Sequence, residues 1–210
     1  QQDLIYYITA MNETYLMPEL PKRKDIREEI VKGMYKFSSS GLPKKNGKVH
    51  LLGSGALMNE AIRAQELLTK EFQVAVDVWS VTSYKQLYSD AIECERWNLL
   101  NPDKQPKRPY IERLLAEEEG VFVAVSDYMK VLPALIGKWI PGPLHCLGTD
   151  GFGRSDSREM LRDFFEVDAR YITIAALQQL VKTGDSEKDS VEKAIKQFNI
   201  NSDKLNPHYD

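Results

Sequence analysis

The sequence predicts an α/β fold: an open, mainly parallel, mixed sheet with helices on both faces. Three observations carry that expectation. Short apolar runs at residues 49–52, 74–81, 121–125 and 144–147 alternate with longer segments that repeat apolar residues at helical spacing. Each run ends in a polar or glycine-containing turn, at residues 53–55, 80–83, 126–128 and 148–154. Strands and helices that alternate in this way are joined by right-handed crossovers, which makes the strands parallel and covers both faces.

Each element has its local reason. Residues 4–9, rich in aromatic and β-branched side chains, read as a strand, and residues 12–21, with two prolines, as a linker. Residues 25–32 form a short amphipathic helix ended at Gly33, residues 34–37 a short strand, and residues 38–47 a turn or hairpin loop. After the strand at 49–52, Gly53, Ser54 and Gly55 make a tight turn into a helix over 56–70. Leu57, Ala61, Ala64, Leu67 and Leu68 lie along one face of that helix. The strand at 74–81 leads into a helix over 83–100, which Asn101 and Pro102 stop. Residues 109–119 give another helix before the strand at 121–125, and residues 129–139 one that Pro133 crosses. The strand at 144–147 precedes a helix over 157–165. Asp168 then caps a long helix over 169–183 that Gly184 terminates. Ser186 caps a last helix to about residue 198, with a polar tail behind it.

A chain of 210 residues suits one domain, or one domain with an appendage, and its 42% apolar and 28% charged residues are ordinary for a globular protein. A net charge of −3 argues against nucleic-acid binding, because neutralising phosphates needs a basic face. The basic cluster at 104–108 is interrupted by Gln105 and Pro106 and reads as a solvated loop. No apolar run approaches the ~20 residues of a membrane-spanning helix. Cys94 and Cys146 lie far apart in sequence and read as two free thiols in a reducing, cytoplasmic setting. The chain begins without Met and goes straight into an apolar stretch, so it is expected to be a fragment of something longer.

The parallel reading gathers the polar ends of all four strands on one edge, where open α/β sheets place their ligand crevice. Most informative there is the run Leu147-Gly-Thr-Asp-Gly-Phe-Gly-Arg-Ser-Asp-Ser-Arg-Glu159. Arg154 and Ser155, just before a helix, could hold an anion through a guanidinium and backbone N–H groups. Alternatively, Asp150 and Asp156 pair with Arg154 and Arg158, and Ser155 or Asp156 caps the helix. The candidate residues of this edge are Asp127, Asp150, Gly151, Gly153, Arg154, Ser155 and Asp156. Gly53 and Gly55 open a helix as a dinucleotide site requires, with Asp77 as a possible ribose ligand, but Met58 stands where the third glycine belongs. His50, His145 and His208 have no metal-binding spacing, and no hydrolase elbow or phosphate loop occurs. The residues thus leave open an interaction or regulatory module that binds an anion or a partner loop at the strand edge. A dinucleotide-binding oxidoreductase domain is the weaker alternative.

Several words in order point further: Tyr6-Tyr-Ile-Thr9, the Leu-Leu-Gly-Ser-Gly turn, Cys94-Glu-Arg-Trp-Asn98, Ser126-Asp-Tyr-Met-Lys130, and the run from Leu147 to Glu159. With these the chain closely resembles the C-terminal domain of bacterial homodimeric pyruvate dehydrogenase decarboxylating components, which belong to the transketolase-like, thiamine-diphosphate-dependent enzymes. The resemblance implies that residues 1–37 are the end of a middle, pyrimidine-binding domain plus linker, and residues 38–210 a transketolase-like C-terminal domain. It implies a parent that decarboxylates pyruvate on thiamine diphosphate with Mg2+ and reductively acetylates the lipoyl group of a dihydrolipoyl acetyltransferase. The parent would be a cytoplasmic homodimer. The family's cofactor motif, beginning Gly-Asp-Gly and ending in paired asparagines, does not occur here. The expectation is therefore a structural and dimerisation domain with no catalytic, cofactor-binding or metal-binding residue of its own.

Overall fold

Alternation along one strand decides the architecture. On β2 (Lys48–Gly53), Val49 and Leu51 point to one face of the sheet while His50 and Leu52 point to the other, and all four are fully buried. A strand buried on both faces needs a layer of helices on each side. The computed structural model describes residue 3, residues 5–10 and residues 14–209. It contains a five-stranded sheet in which β1 (Met34–Ser39), β3 (Ala75–Val81), β2, β4 (Val121–Val125) and β5 (Leu144–Leu147) lie side by side in that order. The pairs β2–β3, β2–β4 and β4–β5 are parallel, and only the edge strand β1 runs antiparallel to its neighbour β3. The expected mixed, mainly parallel sheet is therefore present.

One face carries α2 (Met58–Phe72), α7 (Ala169–Thr183) and α8 (Lys188–Gln197), whose Ala61, Ala64, Leu68, Ile172, Ala176 and Ala194 pack against Val49, Leu51, Val76 and Val123. The other carries α3 (Tyr84–Leu100), α4 (Tyr110–Leu114) and α5 (Val131–Ala134), which close over Leu52, Trp79, Phe122 and Ala124. Before β1 stands α1 (Ile26–Lys32), and α6 (Arg158–Phe164) joins β5 to α7. Caps fall where the chemistry puts them. The Ser83 hydroxyl accepts the Gln86 N–H at 3.0 Å, and the Asp168 carboxylate accepts those of Arg170 and Tyr171.

Several expectations need correction. The helix expected over 109–119 is confined to Tyr110–Leu114, because the chain turns at Leu115 and Glu118 is drawn to Lys36 at the sheet edge. The one expected over 129–139 shrinks to Val131–Ala134 plus a 3-10 turn at Gly137–Trp139. Pro133 removes a backbone donor and Gly137 weakens any continuation. The helix after the glycine turn starts at Met58, behind a 3-10 turn at Gly55–Leu57. Ser186 is not a cap: the N-cap position is Glu187, and the Ser186 hydroxyl bonds that of Ser190 at 3.0 Å. Residues 5–9 of the expected strand form none, because no neighbouring strand among the described residues offers them partners; residue 4 lies outside the described residues. They stand apart from the sheet. Of the expected linker, residues 12 and 13 likewise lie outside the described residues.

Candidate functional site

After β3 the chain crosses from one side of β2 to the other to build β4, so the connections leaving the carboxyl ends of β2 and β4 run in opposite directions from a topological switch point. A crevice of about 520 Å³ opens there, lined by Leu57, Asp127, Thr149, Arg154, Arg158 and Arg162 among others. Two glycines shape the turn that leads into its lining residues Ala56 and Leu57. Gly53 lies so close to α2 that a Cβ would stand 3.0 Å from the Met58 Cα and 3.1 Å from the Ala61 Cβ. Gly55 turns at φ 56°, with the Asp127 carboxylate beside it at 3.2 Å from a would-be Cβ. The Ser54 hydroxyl and N–H both donate to the Val125 carbonyl at 3.3 Å, tying the ends of β2 and β4 together.

The seven candidate residues divide into two groups. Asp127, Gly153, Arg154 and Asp156 line the crevice. The Arg154 guanidinium lies 4.2 Å from the centre of the Phe164 ring, and the Asp156 carboxylate accepts the Ser157 N–H at 2.6 Å. Asp150, Gly151 and Ser155 are not on its wall. Asp150 accepts the Lys130 N–H at 3.1 Å and lies 3.5 Å from the Lys130 ammonium, bracing the loop after β5 against the loop after β4. Gly151 (φ 99°) packs on the backbone of Pro207 and His208. Ser155 faces a neighbouring groove with Phe164 and Lys204. The helix cap considered for Ser155 or Asp156 belongs to Ser157, whose hydroxyl accepts the Met160 N–H at 3.3 Å.

Sequence reasoning missed two residues here. Glu60 is only 3% exposed, and its carboxylate accepts from Arg162 at 3.1 Å, Arg63 at 3.2 Å and the Ala169 N–H at 3.1 Å. The available signal was its spacing: Glu60, Ala64 and Leu68 share one helical stripe. Tyr15, in the linker, receives hydrogen bonds from Arg158 and, at 3.4 Å, from Arg162. No sequence pattern marks it.

A second polar cluster lies inside the sheet on the face carrying α3. His50 stacks on Phe122 with ring centroids 4.5 Å apart; its Nδ1 accepts the Trp79 indole N–H at 3.2 Å and its Nε2 lies 3.1 Å from the Glu119 carbonyl. That pattern places the ring proton on Nε2 and satisfies the histidine fully. Burial holds its pKa below the ordinary range, against the pull of the Glu119 carbonyl and the Glu118 and Asp77 carboxylates. His50, Asp77 and Glu118 bring potential ligand atoms within 4.8 Å of one another, the spacing of a metal site. Two ammonium groups already serve that charge: Lys48 lies 2.6 Å and Lys36 3.0 Å from Asp77, and Lys36 also pairs with Glu118. Burial opposes the Asp77 charge, but the bonds from Lys48, Ser39 and Lys36 prevail and hold its carboxyl at about 2. Asp77 is thus committed to two lysines, which removes the ribose ligand from the dinucleotide reading.

Magnesium with a diphosphate, the pair that the resemblance implies for a parent enzyme, does not fit the crevice. Asp150 is taken by Lys130, and Asp127 and Asp156 share the wall with the guanidiniums of Arg154, Arg158 and Arg162. Three guanidiniums disfavour a divalent cation that needs a shell of oxygen ligands.

A family model described as the transketolase-like TK C-terminal domain matches residues 33–168. The pyruvate dehydrogenase E1 component of Pseudomonas aeruginosa is 45% identical over 210 residues, covering 99% of this chain and 23% of that protein. The protein of the same description from Escherichia coli is 45% identical over 208 residues, with the same two coverages. The chain thus spans about a quarter of the length of these relatives, along their C-terminal region. Among solved structures, a transketolase from Pichia stipitis superposes with a TM-score of 0.52 at 17% identity, over 81% of this chain and 21% of that one. The transketolase from Leishmania mexicana gives 0.50 at 16% identity, over 74% and 19%. These two similarities concern the fold alone.

Proposed function

This chain belongs to the transketolase-like C-terminal domain family, and from that membership we propose that it is the C-terminal domain of a pyruvate dehydrogenase decarboxylating component. The observation that carries the proposal is 45% identity across 99% of the chain to proteins of that description. The parent decarboxylates pyruvate with thiamine diphosphate and Mg2+ and passes the acetyl group to the lipoyl group of a dihydrolipoyl acetyltransferase. The cofactor supplies that chemistry from domains outside this chain. Residues 1–37 hold the end of the preceding domain and the linker, of which Met34–Phe37 enter the sheet as the start of β1. Residues 38–210 form the C-terminal domain proper. Its part is structural, supporting the catalytic domains and the homodimer, with Asp127, Asp150, Gly151, Gly153, Arg154, Ser155 and Asp156 as the candidate strand-edge or interface loop. We place the parent in the cytoplasm, as the family resemblance implies. Among the described residues no helix is long and apolar enough to cross a membrane.

Two measurements test this. The full-length protein should decarboxylate pyruvate and acetylate a lipoyl domain; absence of both activities with cofactor present overturns the proposal. Calorimetric titration of the 210-residue domain with thiamine diphosphate and magnesium should give no saturable binding, because the guanidiniums of Arg154, Arg158 and Arg162 share the crevice wall with Asp127 and Asp156 and disfavour a divalent cation. Micromolar binding would mean that the domain holds the cofactor itself. The three guanidiniums of the crevice favour one further reading, a strand-edge site for an anionic group or a partner loop.

A further inference from the structure

Four apolar side chains stand out on the chain next to the crevice residues Asp127 and Gly153. Tyr128 (62% exposed) and Met129 come from the loop after β4, Val131 from the first position of α5, and Phe152 (85%) from the loop after β5. The two loops are fastened back to back. The Thr149 N–H donates to the Tyr128 carbonyl at 3.0 Å, the Lys130 N–H to Asp150 at 3.1 Å, and the Thr149 hydroxyl to the Asp127 carbonyl at 2.8 Å. Backbone groups of the two loops thus partner each other while the apolar side chains face outward. Neighbouring exposed apolar side chains on a braced backbone form a surface suited to burial against protein.

The crevice also carries a fixed point of the linker. Arg158 and Arg162 both donate to the Tyr15 hydroxyl, and their guanidiniums lie 5.6 and 6.0 Å from the centre of its ring. Glu60, buried beneath, holds Arg162 in place. Leu16 and Met17 follow with their side chains exposed, and Ile5, Tyr6, Tyr7 and Ile8 are exposed as well. Ala10 is five residues from Tyr15, at most about 18 Å of extended chain. The polypeptide therefore approaches the domain across its carboxyl edge, at the crevice that Arg158 and Arg162 share with Asp127, Thr149 and Gly153 of the two loops.

We infer that Tyr15, Arg158 and Arg162 form a clasp that seats the preceding region of the full-length chain on the apolar side chains of Tyr128, Met129, Val131 and Phe152. The inference rests on the proposed reading of this chain as the C-terminal domain of a longer enzyme. Relatives of which it covers 23% supply the occupant, and the clasp fixes the edge from which that occupant departs. An intramolecular partner tethered this close needs no tight intrinsic affinity, since the linker keeps its effective concentration high.

The test uses the full-length protein carrying Phe152→Cys, labelled with N-ethylmaleimide and quantified on the peptide containing residue 152. A cysteine on an open loop reacts within a few-fold of a small free thiol at the same pH. We expect labelling at least 20-fold slower, unchanged on dilution, and at least fivefold faster when Tyr15→Ala is added. Lys188→Cys, on the far helix α8, should not respond to Tyr15→Ala. Tyr15→Phe, which keeps the ring but loses both hydroxyl bonds, should give an intermediate rate and guards against a folding defect. Labelling of Phe152→Cys as fast as the free thiol overturns the inference. Protection that disappears on dilution overturns it too, because a second copy is then the occupant. An intact mass near 24.1 kDa for the natural gene product would sink the underlying domain reading, before any labelling is done.

Discussion

Glu60→Ala should destabilise the domain more than any other single change at the crevice. The Glu60 side chain is 4% exposed and holds three donors. Arg63, 71% exposed, loses little when its partner goes, because solvent screens it. The Ala169 N–H at the first turn of α7 is left buried without an acceptor, a loss of about 1–3 kcal/mol. Arg162, 17% exposed, loses its buried counterion; breaking such a pair costs about 3–5 kcal/mol, less here because Tyr15 still accepts from it. These contributions overlap, and about 3–5 kcal/mol is the expected total. Glu60→Gln keeps an acceptor but not the charge and should lose about 1–3 kcal/mol. Urea unfolding of the 210-residue domain reads the difference as a lower midpoint at unchanged slope. Adding Arg162→Met to Glu60→Ala removes the stranded charge, so the double variant should be more stable than the additive sum by at least about 1 kcal/mol. An Ala variant within about 1 kcal/mol of the parent, or strict additivity in the double variant, would refute this account of the crevice wall.

Other outcomes follow from the same geometry. His50 is held neutral in the folded state below its ordinary range, whereas the unfolded imidazole takes up a proton near pH ~6.5. Falling pH through that value should therefore lower stability, by up to about 1.4 kcal/mol per pH unit, until the folded ring also protonates; His50→Gln should flatten this slope. Asp77, held at about 2, adds a second loss as pH falls below its unfolded value near ~3.9 toward pH 2. Gly53→Ala should cost about 1–3 kcal/mol in thermal or urea unfolding, because its methyl group meets Met58 and Ala61 of the packed helix at 3.0 and 3.1 Å. Arg154→Ala should change stability by no more than about 1 kcal/mol, since its stacking on Phe164 lies at the crevice mouth. If it also leaves activity and assembly of the full-length enzyme unchanged, Arg154 has no role at the domain edge.

Periodicity made most of the fold legible and left out what tertiary partners decide. The runs at 49–52, 121–125 and 144–147 lie within β2, β4 and β5 to within a residue at either end, because strands buried on both faces leave an uninterrupted apolar signature. Asp168 and Gly184 bound α7 as expected, since capping is a local interaction. Residues 109–119 and 129–139 carry helical spacing without helical length. Their ends are fixed by where Glu118 finds Lys36 and where Pro133 interrupts the ladder, facts that periodicity does not encode. Residues 5–9 have strand composition and no strand, because a ladder needs a second chain segment as well as propensity. At the crevice, the strand-end loops were legible from topology, but Asp150 and Gly151 prove to brace the loop and the tail rather than line the wall. Glu60 and Tyr15 do part of the work assigned to them.

The two ends of the sheet are built on opposite principles, and the difference bears on how the domain serves a larger enzyme. Toward the amino end of β2 and β3, Lys36, Lys48, Asp77, Glu118 and His50 satisfy one another within a few ångströms, tying the antiparallel edge strand β1 to the parallel strands. Because β1 runs antiparallel, the linker enters it at Met34, opposite Val81 at the carboxyl end, and this closed network holds the edge strand in place once the chain has entered. At the carboxyl end the backbone is just as well satisfied, through Ser54 on Val125, Thr149 on Tyr128 and Asp150 on Lys130. The outward side chains there are different: Tyr128, Met129 and Phe152 stand exposed, and three guanidiniums line the crevice. A closed ionic network resists rearrangement because each charge removed strands another. Exposed apolar side chains on a braced backbone release free energy only when something covers them. The amino end is therefore the anchor of the domain, and the carboxyl edge, where Tyr15 holds the linker, is the face it presents to the rest of its enzyme.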